Sequence, residues 1–176
     1  AAAGGASDGL QLALNVGAML LAFIALISMI NYLFQQIGAL TGLNAVLEPA
    51  YHQPLNLQLL FGLVLQFLGV AIGIPWQDAL NFGSLIGTKV VVNEFVAYLD
   101  LAKLVAAGQM SEKSITMATF ALCGFANFSS IAIQIGGISP MAPSRRKDLS
   151  ALGLRAVLGG TLATLMTATI AGILLG

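Results

Sequence analysis

The seven acidic and seven basic residues of this chain are spaced so unevenly that long stretches carry no formal charge. Among these stretches are residues 9–47, 114–144 and 156–176. A helix needs about 20 apolar residues to cross the hydrocarbon core of a bilayer, and each stretch reaches that length. The sequence therefore predicts an all-α polytopic membrane protein.

Composition argues against most alternatives to a helical membrane protein. Hydrophobic residues make up 58% of the 176 residues and charged residues 8%, whereas roughly a quarter of the residues in soluble domains are charged. A transmembrane β-barrel would alternate in polarity along short segments, but residues 19–27 are continuously apolar. A net charge of zero gives no basic patch for nucleic acid. The sequence contains no nucleophile–base motif, metal-ligand spacing or phosphate loop, so we predict neither an enzyme nor a metal site.

The hydrophobic pattern divides the chain into five segments. These are a transmembrane helix with a cytoplasmic connection (1–54), a second transmembrane helix (55–74), a re-entrant hairpin (75–108), a broken transmembrane helix (109–140), and a basic cytoplasmic loop with the C-terminal transmembrane helix (141–176).

Within the first segment, the span is expected over residues 10–33. Ser7 or Asp8 is expected to be its N-cap, and a polar connection is expected at Gln35 and Gln36. The residues from 43 to the end of this segment are expected to form a loop or a short interfacial piece.

The hairpin is predicted because residues 75–108 contain two apolar stretches that are each too short to cross a bilayer. These stretches, 79–86 and 95–104, flank a polar region that contains Lys89 and Glu94. Two half-length helices that meet at a polar tip form a re-entrant hairpin. Non-helical backbone at such depth is tolerated only where protein or a water-filled cavity surrounds it.

A broken helix is predicted within 109–140, with Ser111 as its N-cap. Gly124 lies close to Asn127 and two serines, a composition that favours a break in the helix. Cys123, the only cysteine, excludes an internal disulfide and is expected to be a small buried side chain.

The orientation of the chain in the membrane follows from its basic residues. Four of the seven lie within residues 145–155. The positive-inside rule places this loop in the cytoplasm. The loop near 109–113 and the entry of the hairpin are then outside, the 35–54 connection is inside, and both ends of the chain are outside.

Glu94 can be interpreted in two compatible ways. An ionisable group at membrane depth is costly and usually faces a cavity on a transport pathway. Alternatively, Asn93 caps the second half-helix, and Glu94 is favoured by the positive N-terminal end of that helix. Lys89 either neutralises Glu94 or supports the fold of the tip, and we favour the structural role.

Asn127 and Ser130 are three residues apart and share one face if the segment is helical. Their amide and hydroxyl groups suit a hydroxylated ligand. Hydrogen bonding between membrane helices explains the same pair equally well. Ser129 is expected to be a cap, and Phe125 on its own is expected to serve packing.

A half-helix hairpin followed by a broken helix is typical of secondary transporters, whose substrate sites are built from discontinuous helices. Two other classes remain open. One is an ion channel in which Glu94 serves as a selectivity or proton group. The other is a membrane scaffold subunit without a ligand, in which the polar residues only hold helices together.

Several motifs closely resemble the concentrative nucleoside transporter family, specifically the C-terminal half of its bacterial members. The motifs are GTKVVVNEFVAY at 87–98, ALCGFANFSSIAI at 121–133, PSRRK at 143–147 and ASDGL at 6–10. The resemblance covers nearly the whole chain, and the first two motifs are highly specific.

The resemblance implies a homotrimeric symporter that takes up nucleosides by alternating access, coupled to sodium or protons. By motif match, the substrate-binding residues are Glu94, Asn127, Ser130 and Phe125, which would bind the ribose. A carboxylate and an amide can hold sugar hydroxyls through charge-assisted hydrogen bonds.

The resemblance also implies substrates, a cellular location and sites that this sequence does not contain. The expected substrates are uridine, cytidine and adenosine, the expected location is the cell inner membrane, and no cofactor is expected. No match to the family's base-binding and ion-binding motifs is found here. The coupling-ion site is therefore expected outside this chain, which begins without Met and is expected to be part of a longer protein.

Overall fold

The computed structural model describes residues 2–51, 53–138 and 142–176, and the regular elements in these ranges are helical. They are α1 (Ala2–Thr41), α2 (Leu43–Tyr51), α3 (Leu57–Ala71), α4 (Trp76–Val91), α5 (Glu94–Ala106), α6 (Glu112–Leu122), α7 (Phe128–Ile138) and α8 (Arg146–Leu174), with a 3-10 turn at Pro143–Arg145. The all-α prediction is confirmed. The predicted boundary between the broken helix and the basic loop, at 140, lies outside the described residues.

Two compact units make up the chain, one ending at Leu57 and the other spanning Gln58–Gly176. In the first unit, the side chain of Asn44 folds the segment after α1 back onto it. Its amide nitrogen donates to the carbonyl of Gln35 at 3.0 Å, and its oxygen accepts from the backbone N–H of Leu55 at 3.0 Å. Asn31 holds the end of the unit by accepting from the N–H of Leu57 at 2.9 Å.

The first helix extends beyond the predicted span of 10–33 at both ends. Ser7 and Asp8 lie inside α1 and are not its N-cap, because the helix already includes Ala2. The connection expected at Gln35 and Gln36 is instead helical, since glutamine also favours helix. The segment expected to be a loop or interfacial piece contains the helix α2.

In the second unit, α3 occupies 57–71 of the predicted span 55–74. Its 15 residues extend about 22 Å, less than the hydrocarbon core of about 30 Å. The chain then turns at Gly73, whose φ of 101° is accessible mainly to glycine. α4 leaves this turn at 118° to α3.

Two stretches of the described residues are long and apolar enough to cross a membrane. They are Ile24–Thr41 within α1 and Pro143–Leu174, which is α8 with the turn before it. α3 and α4 meet the same criterion only as a bent pair, as expected for a broken or re-entrant span. These features agree with the predicted class of polytopic membrane protein.

The core of the second unit surrounds α6, which packs against α4, α5 and α8. Its contacts with α8 involve small side chains, with Ala118 on α6 and Ala168 on α8 both completely buried. Gly172 on α8 lies so close to Met117 that an added Cβ would be 2.6 Å from the sulfur. Small residues let membrane helices approach closely and gain dispersion contacts.

Replacing Ala168 by Leu is expected to destabilise this contact, because extra methylene groups have no space between α6 and α8. Overpacking of this kind lowers the free energy of unfolding by about 1–3 kcal/mol. Thermal unfolding of the full-length protein in detergent measures the effect. Ala163→Leu on the exposed side of the same helix is the matched control, and equal melting temperatures for both variants would contradict the packing argument.

Candidate ligand site where the hairpin meets the helix break

The hairpin tip consists of Val92 and Asn93, between α4 and α5. Asn93 is extended, and its side-chain oxygen accepts from the N–H of Val96 at 2.9 Å. Asn93 is therefore the N-cap of α5, as predicted. Glu94 follows as the first residue of the helix, where the positive end of the helix dipole favours a carboxylate.

The predicted break separates α6, which ends at Leu122, from α7, which begins at Phe128. The N-cap prediction for Ser111 is confirmed, because its hydroxyl accepts from the N–H of Ser114 at 3.4 Å. Cys123 lies at the start of the break and is exposed. The expectation of a buried cysteine is wrong, because the helix ends before this residue and its side chain is not enclosed by α4, α5 or α8.

Asn127 caps the second half of the broken helix. Its side-chain oxygen accepts from the N–H of Ser130 and from the hydroxyl of Ser129, each at 2.7 Å. The hydroxyl of Ser130 in turn donates to the carbonyl of Asn127 at 2.7 Å. Ser129, expected to be a cap, instead donates to the cap, and Asn127 takes that role because it immediately precedes Phe128, the first residue of α7.

The other end of the Asn127 amide crosses to the hairpin. Its nitrogen donates to Oε2 of Glu94 at 2.9 Å. Asn127 is fully buried, and Glu94 is half-buried. The structure thus brings two of the predicted site residues into direct contact at the point where the N-termini of α5 and α7 meet.

Lys89 contacts the other end of the break, where α6 ends. Its side chain is fully buried, and its ammonium donates to the carbonyl of Ala121 at 2.7 Å and to the hydroxyl of Thr164 at 3.0 Å. The ion pairs between described residues do not join Lys89 to Glu94. Lys89 therefore connects α4 to the end of α6 and to α8, which fits the structural role expected for it.

Two residues that the sequence did not single out complete this framework. The hydroxyl of Tyr98 on α5 donates to the carbonyl of Thr119 on α6 at 2.8 Å. The carboxylate of Asp78 on α4 accepts from the N–H of Ser111 at 3.1 Å and from its hydroxyl at 2.5 Å. Tyr98 is four residues after Glu94 and so shares its helix face, which was the available signal for it.

A cavity of about 410 Å³ lies beside the break, between α7 and α8. Phe125 and Ser130 line it together with Gln134, Val157 and Thr164. Phe125 is 48% exposed and forms part of the cavity wall. The volume falls within the range of about 300–1,000 Å³ that is usual for ligand pockets.

The predicted site residues therefore fall into two neighbouring groups. Glu94 and Asn127 form the hydrogen-bonded pair at the tip, and Phe125 and Ser130 line the cavity. Ser130 belongs to both, because it is bonded to the Asn127 backbone. Ser130 thus connects the cavity to the Glu94–Asn127 pair, although neither member of that pair lines the cavity itself.

Known proteins are similar to this chain in sequence and in fold. A family model described as "Na+ dependent nucleoside transporter C-terminus" matches residues 1–172. An uncharacterized transporter of Bacillus subtilis, YutK, is 52% identical over 98% of this chain and 40% of its own length. The nucleoside permease NupC of Helicobacter pylori is 44% identical over 100% of this chain and 41% of its own length.

Solved structures agree with these relatives. CNTnw in an inward-facing substrate-bound state matches 97% of this chain and 40% of its own length, with 48% identity and a TM-score of 0.86. A variant of CNTnw in an outward-facing state matches with a TM-score of 0.85. The chain thus spans about 40% of the length of these proteins. It belongs to the Na+-dependent nucleoside transporter family, a family of membrane transporters and not of enzymes, and corresponds to the C-terminal region of its members.

Proposed function

We propose that this chain supplies the ribose-binding half of a cation-coupled nucleoside symporter that works by alternating access. The observation that carries the proposal is the contact between Glu94 and Asn127, which joins the hairpin tip to the helix break at 2.9 Å. Discontinuous helices that meet in this way form the substrate sites of secondary transporters.

The chemistry of the pair suits a diol. An ionised carboxylate accepts hydrogen bonds at about four lone-pair positions. Among the described residues, the side chain that donates to the Glu94 carboxylate is that of Asn127. Acceptor positions on the half-buried carboxylate are therefore free for the hydroxyl groups of a ribose. Such charge-assisted bonds are about twice as strong as neutral ones.

The surroundings fit the rest of a nucleoside. The Phe125 ring supplies an apolar wall beside the polar pair, and Ser130 holds the backbone of the break in place. Glu94 and Asn127 both stand at helix N-termini, which fixes their acceptor oxygens in place before substrate arrives. A preorganised acceptor loses little conformational entropy on binding.

The remaining parts of the proposal come from the family. The base-binding groups and the coupling-ion site lie in the portion of the relatives that this chain does not span, which is about 60% of their length, given that it spans 40%. Uridine, cytidine and adenosine are the proposed substrates, and the assembly is a homotrimer in the cell inner membrane. Inward- and outward-facing states of CNTnw support alternating access.

Glu94→Gln in the full-length transporter is expected to weaken uridine binding by at least tenfold. The amide keeps the shape of the side chain but loses the charge, and a hydrogen bond to a charged group contributes about 1.5–3 kcal/mol. Isothermal titration calorimetry in sodium buffer measures the change, and repeating the wild-type titration without sodium shows whether uridine binding depends on sodium.

The matched control for this experiment is Glu112→Gln, which alters an exposed carboxylate at the start of α6. Unchanged affinity in Glu94→Gln would refute the site assignment. Absence of uridine binding in the wild type would refute the transporter proposal and favour a channel or a ligand-free scaffold.

Asn127→Asp separates capping from substrate binding. Aspartate caps a helix as well as asparagine does, so α7 is expected to remain intact. The new carboxylate cannot donate to Glu94 and repels it, so uridine affinity is expected to fall at least tenfold. Uridine affinity and melting temperature are measured for the same variant. Asn81→Asp is the control, because it makes the same substitution where the asparagine donates to the carbonyl of Gln109 in an exposed hydrogen bond. Retention of affinity would show that the pair is dispensable.

A cysteine at Ser144 is expected to react with a membrane-impermeant maleimide only after the membrane is permeabilised. The positive-inside rule places the adjacent basic residues in the cytoplasm. Gln109→Cys, at the predicted outer loop, is expected to react in intact cells, and both variants carry Cys123→Ser. Labelling of the Ser144 position from outside would reverse the proposed topology.

A further inference from the structure

Lys89 is a buried cation whose hydrogen bonds do not go to the proposed ribose site. Its ammonium donates to two neutral oxygens, and Glu94 acts on it only through longer-range electrostatics, without an ion pair among the described residues. Burying a charge is costly unless it is paired or coordinated. A methionine of similar length would fill the same space without that cost, so the charge itself needs an explanation.

The oxygens around Lys89 resemble a cation site. The carbonyl of Ala121 belongs to the last turn of α6, where the negative end of the helix dipole lies and carbonyls lack intrahelical partners. The hydroxyl of Thr164 on α8 also accepts from the ammonium, so a cation at this position has two oxygen ligands. Ends of half-helices with free carbonyls are the groups that coordinate cations in secondary transporters.

We infer that Lys89 is a tethered cation, which permanently occupies a cation site at the C-terminal end of the broken half-helix α6. It is a positioning residue: it does not contact the substrate but fixes the hairpin to the break, so that Glu94 and Asn127 meet at the correct distance. A mobile ion at this site would leave during the transport cycle, whereas a lysine stays.

Three elements are held together by this one ammonium, because Lys89 lies on α4, Ala121 on α6 and Thr164 on α8. The site is also closely fitted. A Cβ on Gly124 would be 3.5 Å from the ammonium nitrogen and 2.4 Å from the methyl carbon of Thr164. Gly124 and Thr164 both line the 410 Å³ cavity, which gives a small cation a route to the site.

Chemical rescue tests the inference in the full-length transporter. Lys89→Ala removes the ammonium and three methylene groups, which n-propylammonium replaces. We expect Lys89→Ala to lower the melting temperature and to weaken uridine binding by about tenfold or more. n-Propylammonium chloride is expected to restore both, whereas tetramethylammonium chloride at the same concentration, a cation without N–H donors, is expected to restore neither.

The control variant is Lys103→Ala, which removes a lysine whose side chain is 76% exposed and paired with Asp100. Its melting temperature is expected to be unaffected by n-propylammonium. Equal rescue of Lys89→Ala by both cations, or by neither, would overturn the inference. So would wild-type behaviour of Lys89→Met, which keeps the apolar stem without the charge.

A second pair of variants keeps the test decisive if Lys89→Ala does not fold. Thr164→Val removes the hydroxyl ligand and is expected to lower the melting temperature and uridine affinity, while Thr164→Ser keeps the ligand and is expected to resemble the wild type. Identical behaviour of the two would overturn the inference. The affinity measurement rests on the proposed function, but the melting temperatures do not. Failure of the proposed function is therefore distinguishable from failure of the inference about Lys89.

Discussion

A helix that breaks inside an apolar protein leaves backbone carbonyls without intrahelical partners, and little water is present to satisfy them. At the end of α6 these partners come from the hairpin. Tyr98 on α5 donates to the carbonyl of Thr119, and Lys89 on α4 donates to the carbonyl of Ala121. The hairpin therefore satisfies carbonyls that the break exposes at the end of α6, and the two elements are joined there.

The other side of the break is satisfied within the chain segment itself, and Asn127 has two functions there. Its carboxamide oxygen caps α7, and its nitrogen holds Glu94. Aspartate could do the first but not the second, because a carboxylate has no N–H to donate. The choice of asparagine thus links the folding of the break to the positioning of the candidate ligand group.

The remaining elements hold this unit in place. Asp78 at the start of α4 binds the N-cap of α6, so the hairpin and the broken helix are joined at their outer ends as well as at the tip. α8 packs along α6 through small residues and supplies Thr164 to Lys89. These contacts join the hairpin, the broken helix and α8 into one packed assembly.

The sequence by itself determined the features that depend on neighbouring residues. Charge-free stretches indicated membrane helices, short apolar halves indicated the hairpin, and Asn93 and Ser111 were predicted as caps because a cap bonds a backbone group only three residues away. The same local reasoning failed where two local choices competed. Asn127 took the cap that was assigned to Ser129, and α1 continued through Gln35 and Gln36.

Only the tertiary structure decided which distant groups meet. Glu94 and Asn127 are 33 residues apart, and Lys89 and Thr164 are 75 apart, so no periodicity relates them. Sequence spacing left two roles open for Glu94 and two for Lys89. A buried charge needs a polar partner, and the chain contains many polar groups that could serve. The packing of α4, α5 and α8 around α6 selected the partners, because buried polar groups must be satisfied by whatever the fold places within hydrogen-bonding distance.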